Sequence, residues 1–405
     1  MPSLDFPALP YHRAVVEHLQ THCPSAWSQY GSDVYGSAQS DATRLELLKA
    51  TYGLTREGHP APYALADQLA EALELGVPVR LHQGSEGRLN AGLIFLPDVA
   101  CVVLEGDVLD RLDEDELRAL LAHELAHHRL WRLDGGDYLR AVRLLHGLNG
   151  RIAQPSVLHT LRLYGLFTEL YADRAALAVC QGHGELVATR DATIRCLVKV
   201  STGIKAVVAP DFVAQATRLW QETGEGSATW SHPEAHIRAL ALSWYARDGA
   251  DADEVIGALV RGRVALAELD LLGREALSAW TRSVVDHLLQ PPWMQSDAIL
   301  GHARLMFDDY AVPAAPPSPE VLRPQLLPYA PCVHDYAAFV LLDFAVVDRA
   351  AGEAPMARAH RVAEGLGLAE RFERELNKKL KLTKKAIREI VSRRDAVLAS
   401  ADAQR

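Results

Sequence analysis

The chain has 405 residues, 49% of them hydrophobic, and a formal net charge of -10. Length and apolar content predict a globular protein of two or three domains, and the acidic balance excludes nucleic acid as the main partner, because phosphate binding needs a broad positive field. No run approaches the roughly eighteen apolar residues of a membrane span, and the opening MPSLDFPALPYHR has prolines and an acid where an export signal is basic and then apolar, so cytoplasmic residence is expected.

Residues 1–60 read as a helical N-terminal region, with Ala14, Val15, His18 and Leu19 at helical spacing, then a polar patch, then TRLELLKATYGL. ALADQLAEALEL, from Ala64 to Leu75, is a good helix former stopped by Gly76, and VPVRLHQ alternates like a strand. GSEGR resembles a hairpin connection, and NAGLIFLP and ACVVLEG add two short strands, so a small antiparallel sheet is expected.

Asp113 with Glu116 three residues on forms a capping box for a helix that runs to about Leu133, where Asp134, Gly135 and Gly136 stop it. A second helix covers about Tyr138 to Leu148, and a third runs from near Ser156 to Gly182. The chain to about residue 310 stays helical. Residues 311–331 carry seven prolines and read as a linker or extended wrap with no regular helix, and residues 332–405 return to helical periodicity. The five cysteines are widely spaced and never form Cys-x-x-Cys, which fits reduced thiols acting as small buried hydrophobes.

Inside the Asp113 helix lies LLAHELAHHRL, with His123, Glu124 and His127 in the pattern His-Glu-x-x-His. Residues four apart on a helix are separated by roughly 40° around the axis and 6 Å along it, so two imidazoles at that spacing can grip one ion. His128 points about 100° away from His127 and fits a packing role better than ligation. Zinc takes about four ligands and a catalytic site keeps one position for water, so a third protein ligand is required. TELYADRAA offers Glu169 for that role, with Asp173 one turn further to hydrogen-bond a zinc histidine. Glu124 sits where a carboxylate can take a proton from attacking water. The bland alternative for the second segment is a solvated acidic face or a Glu169–Arg174 pairing.

HELAHH followed by ELYADRAA resembles the gluzincin endopeptidases that include the heat-shock protease HtpX and the CAAX prenyl proteases. Asn90-Ala91, LIFLP, ACVVLEG and LDEDELRALLAHE occur in the order that family shows, and SHPEAHIRAL supplies its later His-Pro and arginine as His232, Pro233 and Arg238. The resemblance covers about Ala64 to Leu242. It implies a zincin-like metallopeptidase core over 61–250 and one zinc per chain on His123, His127 and Glu169. Glu124 would be the general base, Asp173 the carboxylate behind a ligand, and His232 a donor to the oxyanion. Arg238 would hold a carboxylate or help bind substrate. A peptide would pair with the strand around Ile94 to Val103, touching Asn90, Ala91, Leu93, Ile94 and Phe95. Family members with membrane spans differ from this chain, where none is expected.

The expected fold class is therefore mainly α with a small antiparallel sheet, followed by a helical extension over 251–310. The C-terminal helices are faintly similar to TerB-like domains and could receive a regulatory protein partner. Their ten basic residues between Arg371 and Arg394 read as a solvated face before an anion-binding helix. The expected activity is hydrolysis of protein or peptide substrates. The competing readings are a metallopeptidase fold kept as a silent binding scaffold, and a protease covered by its own helical flanks.

Overall fold

Proline at the first helical position, where its missing N–H has no intrahelical partner to lose, opens α1 (Pro10–His22), α2 (Pro24–Ser32) and α4 (Pro60–Ala72), with α3 (Ser37–Ala50) between them. The computed structural model describes residues 7–32, 37–151, 154–181 and 185–403. The chain divides into two compact units, Met1–Gly262 and Arg263–Arg405. Among the described residues no helix is long and apolar enough to cross a membrane.

The first unit holds a four-stranded sheet of β1 (Tyr52–Gly53), β2 (Val79–Gln83), β3 (Asn90–Leu96) and β4 (Val99–Glu105), in the order β1-β2-β4-β3. It is mixed, which corrects the antiparallel expectation: β1 and β3 pair antiparallel with their neighbours, but β2 lies parallel to β4, with Val79 opposite Ala100 and Gln83 opposite Leu104. GSEGR is therefore not a hairpin turn. It carries the chain across the end of β4, where Gly84 N–H donates to Leu104 O at 2.7 Å and Gly106 N–H to Ser85 O at 3.0 Å. Gly106 has φ +62°, and a Cβ there would meet the Gly87 carbonyl at 2.9 Å, so the crossing needs glycine. The signal for the parallel pairing was the near-continuous apolar run of β4, whose first four residues are all buried. The true hairpin joins β3 to β4 through Pro97 and Asp98, with Leu96 opposite Val99.

After a single turn, α5 (Val108–Arg111), comes α6 (Glu114–Arg132), capped as expected: Asp113 accepts from Glu116 N–H at 2.9 Å, and Glu116 Oε2 from Asp113 N–H at 3.0 Å. Such a cap contributes about 1 kcal/mol, and the three acids of the first turn add favourable charge at the positive helix end. Leu117, Leu121 and Leu125 recur at helical spacing and are buried, which sinks α6 into the unit. Asp134 and Gly135, both with positive φ, end it. Around α6 stand α7 (Asp137–Arg151), α8 (Pro155–Gln181) and α9 (Leu186–Thr202), followed by α10 (Ala209–Thr223), α11 (Ala235–Asp248) and α12 (Asp253–Arg261). The sequence end point of α8, Gly182, lies outside the described residues.

In the second unit, α13 (Leu271–Leu288), α14 (Asp297–Met306), α15 (Pro319–Leu322), α16 (Pro331–Val346), α17 (Ala354–Gly365), α18 (Ala369–Leu380) and α19 (Lys384–Ala403) enclose their own apolar core around Trp280, Val285, Leu341, Phe344 and Phe372. The proline-rich stretch wraps this core. Against the expectation of no helix, it contains the one-turn α15, tolerated because Pro319 takes the first helical position. Trp280 Nε1–H donates to Leu322 O at 3.0 Å, and Ala330 N–H to Val264 O at 2.9 Å. The basic stretch breaks between α18 and α19, where Lys381 adopts φ +58°.

Candidate metal centre

The buried face of α6 presents His123 and His127, and α8 brings Glu169 opposite them. His123 Nε2 lies 3.2 Å from His127 Nε2 and 3.3 Å from Glu169 Oε2, and His127 Nε2 lies 3.6 Å from Glu169 Oε1. Ligands about 2.0–2.1 Å from a tetrahedral ion stand about 3.3 Å apart, so these spacings match three corners of a zinc tetrahedron. Glu169 Oε2 is buried and makes no well-aligned hydrogen bond among the described residues, its only contacts being ionic ones to His123 Nε2 at 3.3 Å and Arg238 Nη1 at 3.5 Å, so a cation would satisfy it better. On both counts the donor set fits zinc.

Asp173, one turn beyond Glu169, accepts the Nδ1–H of His123 at 3.0 Å, so that loss of the other ring proton would free the Nε2 lone pair toward the ligand triangle. Arg238 on α11 clamps Asp173 through Nε at 2.8 Å and Nη2 at 2.7 Å, and its Nη1 lies 3.5 Å from Glu169 Oε2. Of the two roles expected for Arg238, the geometry selects holding a carboxylate. Arg174 turns away from Glu169 to Asp253, at 3.2 Å, so the bland Glu169–Arg174 pairing does not form.

Charge in this buried site is strongly biased. Burial lowers the affinity of His123 for a proton, but Asp173 and Glu169 outweigh it and push the imidazole up to about 10. Burial holds His127 down to about 4. Burial also opposes ionisation of Glu169 and Asp173, yet the histidines take Glu169 far below its ordinary range, and Arg238 takes Asp173 down to about 2. Burial pushes Glu124 up to about 7. With Glu124 ionised, three carboxylates face the Arg238 guanidinium and the His123 imidazolium, and a divalent cation that displaces the His123 proton would neutralise the excess.

These groups line a cleft of about 330 Å³ whose other walls are Asn90–Leu93 of β3, part of α9, Trp131 and His232. The strand β3 is one of the two edges of the sheet among the described residues. Leu93 N–H donates to the Glu124 carboxylate and ties that edge to α6. Asn90, Ala91 and Leu93 line the cleft as expected, whereas Ile94 and Phe95 do not: Ile94 packs with Leu96, Val99 and Cys101, and Phe95 lies 5.0 Å from the His128 ring. Residues 99–103 of the expected binding strand belong to β4, which is paired on both sides and has no free edge. His232 stands at the rim, 3.7 Å from Glu169 Oε1 with its side chain 62% exposed. His128 is buried and donates from Nε2 to Leu96 O at 2.9 Å.

Two contributions were missed in the sequence. Thr193, Cys196, Leu197 and Val200 of α9 form one cleft wall, legible in retrospect as an i, i+3, i+4, i+7 stripe. His12 of α1, fully buried and lowered to about 3 by burial, lies 3.2 Å from Thr168 Oγ1 beside Glu169. No local signal announces that long-range contact. Comparisons with protein-family models, with curated proteins and with solved structures find no match to this chain.

Proposed function

We propose that the protein is a zinc-dependent endopeptidase with a zincin-like core of the gluzincin type, taking one zinc per chain on His123, His127 and Glu169. The observation that carries this reading is the ligand triangle at tetrahedral spacing with Glu124 beside it and a free strand edge alongside. When bound, zinc supplies Lewis acidity toward the peptide carbonyl and the attacking water.

The chain's own residues do the rest. A peptide in extended form pairs with the free edge of β3 over Asn90–Leu93, which holds its backbone straight across the cleft. Glu124, whose burial favours a carboxyl poised near neutral pH, takes the proton of the attacking water and delivers it to the departing amine. His232, at the rim with Nε2 3.7 Å from Glu169 Oε1, donates to the developing oxyanion. Asp173 and Arg238 fix the ring of His123 and do not touch substrate.

A scaffold that holds zinc and cleaves nothing would have no use for a buried acid beside the ligands. Metal analysis of the purified chain together with cleavage of an unfolded protein tests the proposal. The expected result is about one zinc per chain and cleavage lost in Glu124→Gln with zinc retained. Stoichiometric zinc with no cleavage of any peptide would leave the scaffold, and absence of zinc would sink both.

A further inference from the structure

Beyond the N-terminal end of β3 a second depression, of about 250 Å³, is lined by Gly87, Arg88 and Leu89, by Asp107 and Arg111, and by Val200, Thr202 and Gly203. It adjoins the cleft: Val200 lines both, and Leu89 precedes Asn90 in the chain. Two guanidinium groups therefore stand at the end of the lane along which a peptide would lie, in a protein whose net charge is -10.

The plain structural role for Arg88 and Arg111 is to cap the end of α9. Arg88 Nη2 donates to Ser201 O at 3.2 Å and Arg111 Nη2 to Gly203 O at 2.7 Å. That role uses one donor of the five each guanidinium carries. Among the described residues neither arginine forms an ion pair, and the one carboxylate in the depression, Asp107, leaves an excess of one positive charge. Carbonyl capping fixes both guanidiniums without neutralising them. Fixed, unpaired and adjacent, they are arranged to receive a carboxylate by charge-assisted hydrogen bonds.

We propose that this depression is a substrate subsite for a carboxylate on the peptide, either an aspartate or glutamate side chain or the chain's C-terminal carboxylate. The proposal rests on the peptidase reading of the adjoining cleft. Strand residues advance about 3.3 Å each, so a paired peptide reaches Asn90 about 10 Å from Leu93, the residue that touches Glu124. The carboxylate then falls three to five residues from the scissile bond, with the α9 wall between. The substrate class is an extended peptide with an acidic residue or an acidic end on one side of the cut.

Synthetic peptides that differ only in a glutamate or glutamine walked along both sides of the scissile bond, each with a free or an amidated C-terminus, test this on the zinc-loaded full chain. The expected result is a preference of roughly tenfold or more in kcat/KM for the carboxylate at one register, the size a charge-assisted contact gives. The walked side chain and the free terminus distinguish the two sources. In the Arg88→Gln, Arg111→Gln double variant, which removes both charges, the ratio falls toward one, and Arg88→Lys with Arg111→Lys restores part of it. Equal cleavage of all peptides by the wild type, or a preference unchanged in the double variant, overturns the subsite. Peptide binding to the Glu124→Gln protein, followed by fluorescence anisotropy, separates the two ideas. A carboxylate preference in binding without wild-type cleavage keeps the subsite and removes the peptidase, and no preference removes the subsite.

Discussion

Asp173 accepts the Nδ1–H of His123 at 3.0 Å while Arg238 grips both of its oxygens, so the orientation of one candidate ligand is set by a chain running from α11 through α8 to α6. The sequence interval between His123 and Asp173 is 50 residues, and Arg238 follows 65 later. Asp173→Asn keeps the shape but lets the imidazole choose the wrong tautomer and leaves Arg238 buried beside a neutral amide. The expected outcome is a 10- to 100-fold loss of zinc affinity, read by competition with a chromophoric chelator. Unchanged affinity would mean that Asp173 serves packing alone.

Zinc uptake should depend on pH in a direction fixed by His123. Burial disfavours its charged form, but Asp173 and Glu169 raise it from the ordinary 6.5 to about 10 in the metal-free site, so the ion must displace a proton at neutral pH. Apparent zinc affinity should rise by close to tenfold per pH unit between pH 7 and 8. Metal-free protein gains stability from the protonated His123 that is fully present below about 6.5 and is lost as pH climbs toward 10. Zinc-loaded protein has no such proton to lose. Urea midpoints of the two forms, compared across pH 7 to 10, should diverge, and parallel curves would contradict this assignment.

The parts legible in sequence are those governed by short-range rules. The Asp113–Glu116 capping box, the stop at Asp134-Gly135 and the shared face of His123 and His127 follow from helix geometry within one or two turns. The convergence of Glu169 on that face was expected from the need for a third ligand and from TELYADRAA, and strengthened by the resemblance, but its position in space depends on how α7 and α8 fold back. Sheet pairing was misread because β3 and β4 are adjacent in sequence and in space, while β2 reaches β4 only by the crossing at Gly84–Leu89. Residue pattern says little about which edge a strand joins. The α9 wall and His12 escaped notice because an apolar stripe or a lone histidine has no sign of which partner it meets.

Glu116 is a second long-range device at the same helix. It is fully buried, completes the α6 cap, and receives Lys199 Nζ at 2.7 Å and Arg195 Nε at 3.1 Å from α9. The cleft wall of α9 is thereby held against the helix that carries His123. Glu116→Ala removes the return bond of the capping box and strands a buried ammonium, which should destabilise the protein by about 3 kcal/mol, measured by urea unfolding of the zinc-loaded form. A loss under about 1 kcal/mol would show that water or a rotamer change replaces the pairing.

Adjacent histidines in HELAHHRL should separate cleanly by their variants. His127 Nε2 sits in the ligand triangle, 3.2 Å from His123 Nε2, whereas His128 Nε2 donates to Leu96 O at the end of β3. Replacing His127 by Leu removes one of the three proposed ligands and should abolish stoichiometric zinc. Replacing His128 by Leu leaves the three ligands in place and loses one buried hydrogen bond, at a cost of about 1–3 kcal/mol because the Leu96 carbonyl is left unsatisfied. Zinc content should stay near one per chain while KM for peptide rises, since His128 anchors the strand proposed to pair with substrate. Zinc analysis and peptide kinetics on the two variants check the division, and loss of zinc in His128→Leu with its fold intact would reverse it.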